Sequence, residues 1–264
     1  MKFFKLPTQI HKFDCFKDFA AEFEIGENDL VLTHQFIYDP FMKDLGLKAH
    51  FIMQENFGAG EPSDEMIDKI LAQVSQGSYK RIIAVGGGTV IDIAKLLIFQ
   101  DGKNTLDMFD KKIDFIKDKK LVVVPTTCGT GSEVTNISIA ELKARHTKMG
   151  LAIDELFPDY AVLIPELMKY LPYKFFVFSS IDALIHAVES YVSPNANDLT
   201  QLISVKAIEM ILNGYVQIVE KGEDYRLELL EDFAIASDYA GIAFGNAGVG
   251  AVHALSYPLG GTYH

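Results

Sequence analysis

The sequence has few cysteines, a deficit of positive charge and no long unbroken apolar run. Its two cysteines, Cys15 and Cys128, cannot form a disulfide framework and fit a reducing compartment. Lys and Arg number 24 against 36 Asp and Glu, and the net charge of −12 disfavours nucleic acid and anionic membrane surfaces as partners. No apolar run approaches the roughly 20 residues that span a bilayer, and the first residues show no signal pattern. We therefore expect a cytoplasmic protein with no nucleic-acid partner and no membrane segment.

The first half of the chain alternates between strand-like and helix-like segments. This alternation predicts a doubly wound, mainly parallel α/β nucleotide-binding domain over residues 1–170, with residues 136–153 as a hairpin or irregular excursion. From residue 171 to 264 the pattern is helical and predicts an all-helical domain. Strands are predicted at 29–33, 49–53, 81–85, 121–124 and 161–164, with helices at 36–44, 63–76, 89–99, 180–192, 199–219, 225–243 and 247–257.

Two turns at predicted strand ends are candidates for binding a cofactor. Gly86-Gly87-Gly88-Thr89 follows one strand and opens a helix, where backbone amides can approach a pyrophosphate closely. Its pattern is neither G-x-G-x-x-G nor the P-loop, and a tight turn that binds nothing is the alternative. The second turn, residues 125–133, is dense in hydroxyls and glycines. Two such turns at carboxyl ends of sheet strands would flank one crevice, where open α/β sheets bind ligands.

Two predicted helices carry the side chains of a candidate metal site. Asp182 and His186 lie four residues apart on one face of an otherwise apolar helix. His253 and Tyr257 share a face further along the chain. A divalent metal would satisfy a buried carboxylate and imidazole together. The alternative is that Asp182 bonds to nearby backbone and His186 is an ordinary core histidine.

Cys128 lies within the second turn and is a candidate nucleophile. No His or Asn is placed near it in the sequence, and we therefore interpret it as a small residue, buried or at the rim of the crevice.

These motifs, taken in order along the chain, resemble those of the iron-containing (group III) alcohol dehydrogenases. The resemblance rests on four separated motifs that cover nearly the whole sequence, and it is greatest to the clostridial-type branch that acts on 4-hydroxybutyrate. It implies NAD-linked interconversion of 4-hydroxybutyrate and succinate semialdehyde by a homo-oligomer. The motifs are Gly86-Gly87-Gly88-Thr89-x-x-Asp92-x-x-Lys95, Pro125-Thr126-Thr127-x-Gly129-Thr130-Gly131-Ser132-Glu133, Asp182-x-x-x-His186 and His253.

The resemblance also implies roles for individual residues. Asp182, His186 and His253 would be metal ligands, and His253 and Tyr257 catalytic residues. The metal would act as a Lewis acid on the alcohol or aldehyde oxygen. Fe²⁺ rests on the resemblance alone, because the donor types suit Zn²⁺ equally well. The expected NAD contacts are Gly87, Gly88, Thr89, Asp92, Thr126, Thr127, Thr130 and Lys148.

Three departures from the family pattern leave alternatives open. The family's fourth ligand, a histidine in a Pro-His-Gly motif, would fall beyond His264. One alternative is therefore a truncated family member that is an inactive NAD-binding fragment. Tyr257 stands where many members have a second histidine. His34 stands where NAD-preferring members often have Asp, which weakens the case for NAD over NADP. Other short-chain alcohols as substrates, or a lyase on the related dehydroquinate-synthase scaffold, are further alternatives.

For a carboxylate-bearing substrate, the chain should supply a cation. Arg145, His146 and Lys174 are the candidates, and each has a solvated surface charge as its alternative interpretation.

Overall fold

The fold is known from a computed structural model, which describes residues 3–100, 102 and 104–256. The strands are β1 (Gln9–Lys12), β2 (Asp29–Thr33), β3 (His50–Met53), β4 (Arg81–Gly86), β5 (Lys120–Pro125), β6 (Ile137–Leu142), β7 (Thr147–Ala152) and β8 (Tyr160–Leu163). The helices are α1 (Phe16–Glu22), α2 (Gln35–Phe41), α3 (Asp64–Val74), α4 (Gly88–Leu96), α5 (Thr105–Phe109), α6 (Tyr173–Val192), α7 (Asp198–Lys221) and α8 (Leu230–Ala247).

Six of the described strands form a parallel sheet in the order β1-β8-β5-β4-β2-β3. Successive residues of β2 point to opposite faces: Leu30 and Leu32 pack with α3 and α4, whereas Val31 packs with α1 and α2. All three are fully buried, as expected for a parallel strand covered by helices on both sides. The prediction of a doubly wound α/β domain followed by a helical part is confirmed.

Several elements differ in detail from the sequence prediction. Residues 136–153 form the antiparallel pair β6 and β7, so a hairpin is correct there. Ser63 caps α3, and its hydroxyl accepts a hydrogen bond from the Met66 amide at 3.3 Å. Helix α6 begins at Tyr173, seven residues before its predicted start. Elements β1, α1 and α5 were not predicted from the sequence.

The helical part packs α6, α7 and α8 around a second core that includes Phe176, Ala207 and Phe233. By length and composition α6 and α7 are apolar enough to cross a membrane. They meet this test by mean hydropathy; both contain charged residues, so neither is an unbroken apolar run of that length. Because core helices of soluble proteins pass the same test, this is weak evidence for a membrane, and both helices contribute buried residues to this core.

Candidate active site

The two glycine turns meet at the carboxyl edge of the sheet. Strands β4 and β5 are neighbours, and the Thr126 amide donates a hydrogen bond to the Gly86 carbonyl at 3.1 Å. A Cβ atom on Gly88 would lie 2.9 Å from Thr130 Cγ2, and one on Gly87 would lie 3.4 Å from Thr127 Cγ2. The turns therefore form one continuous surface, which a side chain on Gly88 would disrupt. The two turns thus lie side by side at this edge of the sheet, the place where open α/β sheets bind ligands.

A cleft of about 440 Å³ opens beside the first turn. Gly60, Glu61 and Lys148 are among its lining residues. The Thr89 hydroxyl donates to the Gly60 carbonyl at 3.1 Å, which ties the start of α4 to this cleft. Lys148 is only 14% exposed and pairs with Glu61 at 2.6 Å. Lys148 is thus held near the glycine turn, with its charge neutralised by a carboxylate from the facing loop.

Asp92 and Lys95 lie on α4 and hold the second turn in place. The Asp92 carboxylate accepts hydrogen bonds from the Ser132 hydroxyl at 2.7 Å and the Ile139 amide at 3.0 Å. Lys95 is fully buried and donates to Ser132 at 2.7 Å and to the Ile137 carbonyl at 2.6 Å. Burial lowers the pKa of Lys95 to about 8. Through these bonds Asp92 fixes the position of Ser132 in the second turn.

Asp182, His186 and His253 converge in the helical part. One ligand atom from each lies within 4.8 Å of the others. Asp182 Oδ2 is 3.9 Å from His186 Nδ1, and Asp182 Oδ1 is 3.5 Å from His253 Nε2. The two imidazole rings stack with centroids 4.3 Å apart, and the opposite face of His186 meets Phe244 of α8. A carboxylate facing two imidazoles is a donor set that fits Fe²⁺ or Zn²⁺.

The environment drives the pKa values of the two histidines in opposite directions. Burial lowers the pKa of His186, which favours the neutral imidazole that a metal requires. The Asp182 carboxylate, assisted by Glu189, raises the pKa of His253.

The second turn connects the crevice with this cluster. The Gly129 carbonyl lies 3.3 Å from His186 Nδ1, in hydrogen-bonding distance. Gly131 has a positive φ of 57°, and a Cβ atom on Gly241 would lie 2.7 Å from its Cα, so the turn also packs directly on α8. One turn thus contacts both the glycine-rich surface and the side chains of the candidate metal site.

Glu189 is a residue that the sequence analysis missed. It lies on α6, and its carboxylate is 2.6 Å from His253 Nδ1. The signal was present, because residues 182, 186 and 189 share one helical face at spacings of four and seven. Burial opposes ionisation of Glu189, but hydrogen bonds from His253 and from the Gly250 and Val252 amides lower its pKa overall.

Other candidate residues occupy less direct positions. Cys128 is fully buried, and burial raises the pKa of its thiol to about 11, so a reactive thiolate is disfavoured. Arg145 forms a bidentate pair with Asp110 at 2.8 Å through each nitrogen. Tyr257, predicted as catalytic, lies outside the described residues.

A carboxylate lies beside His34, at the carboxyl ends of β2 and β3. Glu55 contacts His34 Nδ1 at 3.0 Å and accepts from the Gln35 amide at 2.7 Å. Burial opposes its ionisation, but these hydrogen bonds lower the pKa of Glu55 overall. Because β2 is adjacent to β4, this negative charge lies one strand away from the glycine turn.

Comparisons with known proteins agree on one family. The profile for iron-containing alcohol dehydrogenases matches residues 7–165, and that for the C-terminal part of the Fe-containing alcohol dehydrogenase family matches residues 176–264. The chain is 60% identical over 264 residues to a 4-hydroxybutyrate dehydrogenase from Clostridium kluyveri, covering 100% of this chain and 71% of that protein. It is 37% identical to long-chain-alcohol dehydrogenase 1 from Geobacillus thermodenitrificans, covering 86% of this chain but 60% of the relative.

Solved structures show the same fold. The sulfoacetaldehyde reductase from Bifidobacterium kashiwanohense, in complex with NAD+, superposes with a TM-score of 0.86 at 23% identity, covering 100% of this chain and 72% of that one. A 1,3-propanediol oxidoreductase superposes with a TM-score of 0.84 at 25% identity, covering 100% and 71%.

Proposed function

We propose a reaction for this chain, which belongs to the iron-containing alcohol dehydrogenase family. The reaction is the interconversion of 4-hydroxybutyrate and succinate semialdehyde by hydride transfer to and from NAD. The relative at 60% identity, named for this substrate, supports the choice. The contact of Gly129 with His186 carries the proposal, because it joins the surface suited to a dinucleotide to the cluster suited to a metal.

The residues of the crevice would divide the work of binding NAD. Gly87, Gly88 and Thr89 offer close backbone approach and a helix N-terminus for the pyrophosphate. Thr126, Thr127 and Thr130 would supply hydroxyls from the facing turn. Asp92 would position that turn, and Lys148, paired with Glu61, would donate hydrogen bonds at the cleft.

The helical part would hold the metal through Asp182, His186 and His253. When bound, the metal supplies Lewis acidity toward the oxygen of the alcohol or aldehyde. Fe²⁺ is supported by the family, and Zn²⁺ fits the same donors. Phe244, stacked on His186, fixes one imidazole plane, and Glu189 contacts the other histidine.

We further propose a cytoplasmic homo-oligomer. Both cysteines are free, as expected in a reducing compartment. Apolar side chains on the outer faces of α6 and α7, among them Phe178, Val192 and Leu202, are more than half exposed and suit burial by further protein surface.

The test is anaerobic NADH oxidation with succinate semialdehyde after addition of Fe²⁺, with the metal content measured on the same sample. We expect turnover with bound metal, and faster turnover than with propanal or 3-hydroxypropanal of the same concentration. Faster turnover of the uncharged aldehydes would indicate that the substrate is another short-chain alcohol and not 4-hydroxybutyrate. NADH binding without metal or turnover would contradict the dehydrogenase proposal and leave a cofactor-binding protein.

A further inference from the structure

The carboxylate of Glu189 makes its hydrogen bonds to one short segment of backbone and to one imidazole. Its side chain is 8% exposed. It accepts hydrogen bonds from the Gly250 amide at 2.9 Å and the Val252 amide at 2.6 Å, and it contacts His253 Nδ1 at 2.6 Å. Three donors on one carboxylate fix both the start of the helical residues 251–256 and the orientation of the His253 ring.

The direction of these bonds determines the protonation of the ring. An ionised carboxylate only accepts hydrogen bonds, so His253 Nδ1 must carry a hydrogen. In the neutral imidazole the other nitrogen, Nε2, then keeps its lone pair. Nε2 is the nitrogen that lies 3.5 Å from Asp182 Oδ1, at the centre of the cluster. The ring is thereby set to present a donor lone pair toward Asp182 and His186.

We propose that Glu189 is the positioning residue of the metal site: it holds His253 in the Nδ1–H tautomer and directs Nε2 at the metal. The metal part of this inference rests on the proposed function, whereas the tautomer does not. Histidines that ligate metals commonly donate their second N–H to a carboxylate, and loss of that partner typically weakens metal binding about 10–100-fold.

A purely structural role makes a different prediction. If Glu189 only held residues 250–252 in place, its removal would loosen that segment without selecting between imidazole tautomers. A Gln side chain separates the roles in part, because its single carbonyl oxygen can still accept from His253 Nδ1 but leaves fewer acceptors for the two amides.

The experiment measures the tautomer and the metal affinity on the same 264-residue chain. Nitrogen-15 NMR of histidine-labelled protein at pH 8.5, without metal, reports the tautomer of His253, with its signal assigned by loss in His253→Gln. Titration with Zn²⁺ against a chromophoric chelator gives the dissociation constant. The variants are Glu189→Ala, Glu189→Gln and, as a matched control, Glu209→Ala, which removes an exposed glutamate of α7.

We expect the Nδ1–H tautomer in the unsubstituted chain and in Glu209→Ala. Glu189→Ala should lose that preference and bind Zn²⁺ about 10–100-fold more weakly, and Glu189→Gln should retain the tautomer and lie between them. If Glu189→Ala misfolds by circular dichroism, the isosteric Glu189→Gln carries the test. An Nε2–H tautomer in the unsubstituted chain, or Zn²⁺ binding by Glu189→Ala and Glu189→Gln within twofold of the control, would overturn the proposal. An unsubstituted chain that binds Zn²⁺ with the Nδ1–H tautomer but does not turn over would count against the proposed reaction and leave the role of Glu189 supported.

Discussion

Asp182 is central to the proposed metal site, because its carboxylate faces both imidazoles. The pair Asp182 and His186 was recognisable from its spacing alone. His253 was placed with them by the resemblance, since it lies 67 positions after His186 and no local pattern brings the two together. Glu189 was missed because a glutamate on a helix is ordinarily a solvated residue. Its burial depends on the return of residues 250–253, which is a property of the tertiary fold.

Asp182→Ala should abolish stoichiometric metal binding. It removes the one carboxylate between the two histidines and leaves two imidazoles that repel each other when protonated. Metal content after dialysis against a weak chelator should fall at least tenfold, with the far-ultraviolet circular dichroism unchanged. Asp224→Ala, at an exposed position, should retain full metal content. Equal metal content in both variants would exclude Asp182 as a ligand.

Glu55→Gln should shift the cofactor preference toward NADP. An anionic carboxylate at this end of β2 and β3 repels a 2′-phosphate, as acidic residues do at the equivalent edge of other dinucleotide-binding sheets. Removing the charge should improve the ratio of NADPH to NADH affinity by roughly tenfold, which corresponds to about 1.4 kcal/mol. Fluorescence titration with each cofactor measures the ratio. Glu27→Gln, a neutralisation of an exposed carboxylate just before β2, is the control, and an equal ratio in both variants would contradict the prediction.

At the scale of elements, the central strands were predictable as continuous apolar runs, and the long helices were predictable from their apolar period. Strand β1 was not, since Gln9, His11 and Lys12 are polar and the strand is recognisable only by its pairing with β8. The start of α6 was missed because Pro172 and the aromatic residues that follow resemble a connection. Pro172 in fact occupies the N-cap position, where its lack of an N–H costs nothing.

The contact between the two turns predicts that a substitution in one turn can compensate for a substitution in the other. Gly88→Ala should weaken NADH binding about tenfold, because the new methyl group would meet Thr130 Cγ2 at 2.9 Å and push the turns apart. Thr130→Ser removes that methyl and keeps the hydroxyl, so the double variant should recover most of the affinity. NADH fluorescence titrations give the dissociation constants of the unsubstituted chain, Gly88→Ala and the double variant for this comparison. A Gly88→Ala protein with unchanged affinity, or a double variant no better than Gly88→Ala, would show that the turns do not bind cofactor in this way.

At the scale of the whole molecule, two buried carboxylates lie between the sheet and the helical part. Burial raises the pKa of Glu133 to about 7 and also raises that of Asp238, whose Oδ1 has no hydrogen-bond partner among the described residues. The folded protein therefore holds more protons than the unfolded chain between pH 4.5 and 7. The stability contributed by this pair is present below that window and is lost as the pH rises through it.

Glu133→Gln should weaken this dependence, because it removes one of the two carboxyl groups. The free energy of unfolding, from urea titrations at pH 5 and pH 8, should fall less with rising pH in this variant than in the unsubstituted chain, by on the order of 2 kcal/mol. Glu228→Gln, at an exposed position, should keep the original slope. Parallel slopes for all three proteins would show that Glu133 is ionised in the folded state throughout the range.

The pairing of β1 with β8 limits the order in which the sheet can form during synthesis on the ribosome. Gln9 cannot meet Tyr160 until roughly 150 more residues have been synthesised, which takes on the order of ten seconds at typical translation rates. During that interval β2, β4 and β5 can already assemble, whereas the amino-terminal strand has no neighbour. β8 then pairs with β5, and only afterwards can β1 pair with β8, so the earliest-made strand is among the last to join the sheet.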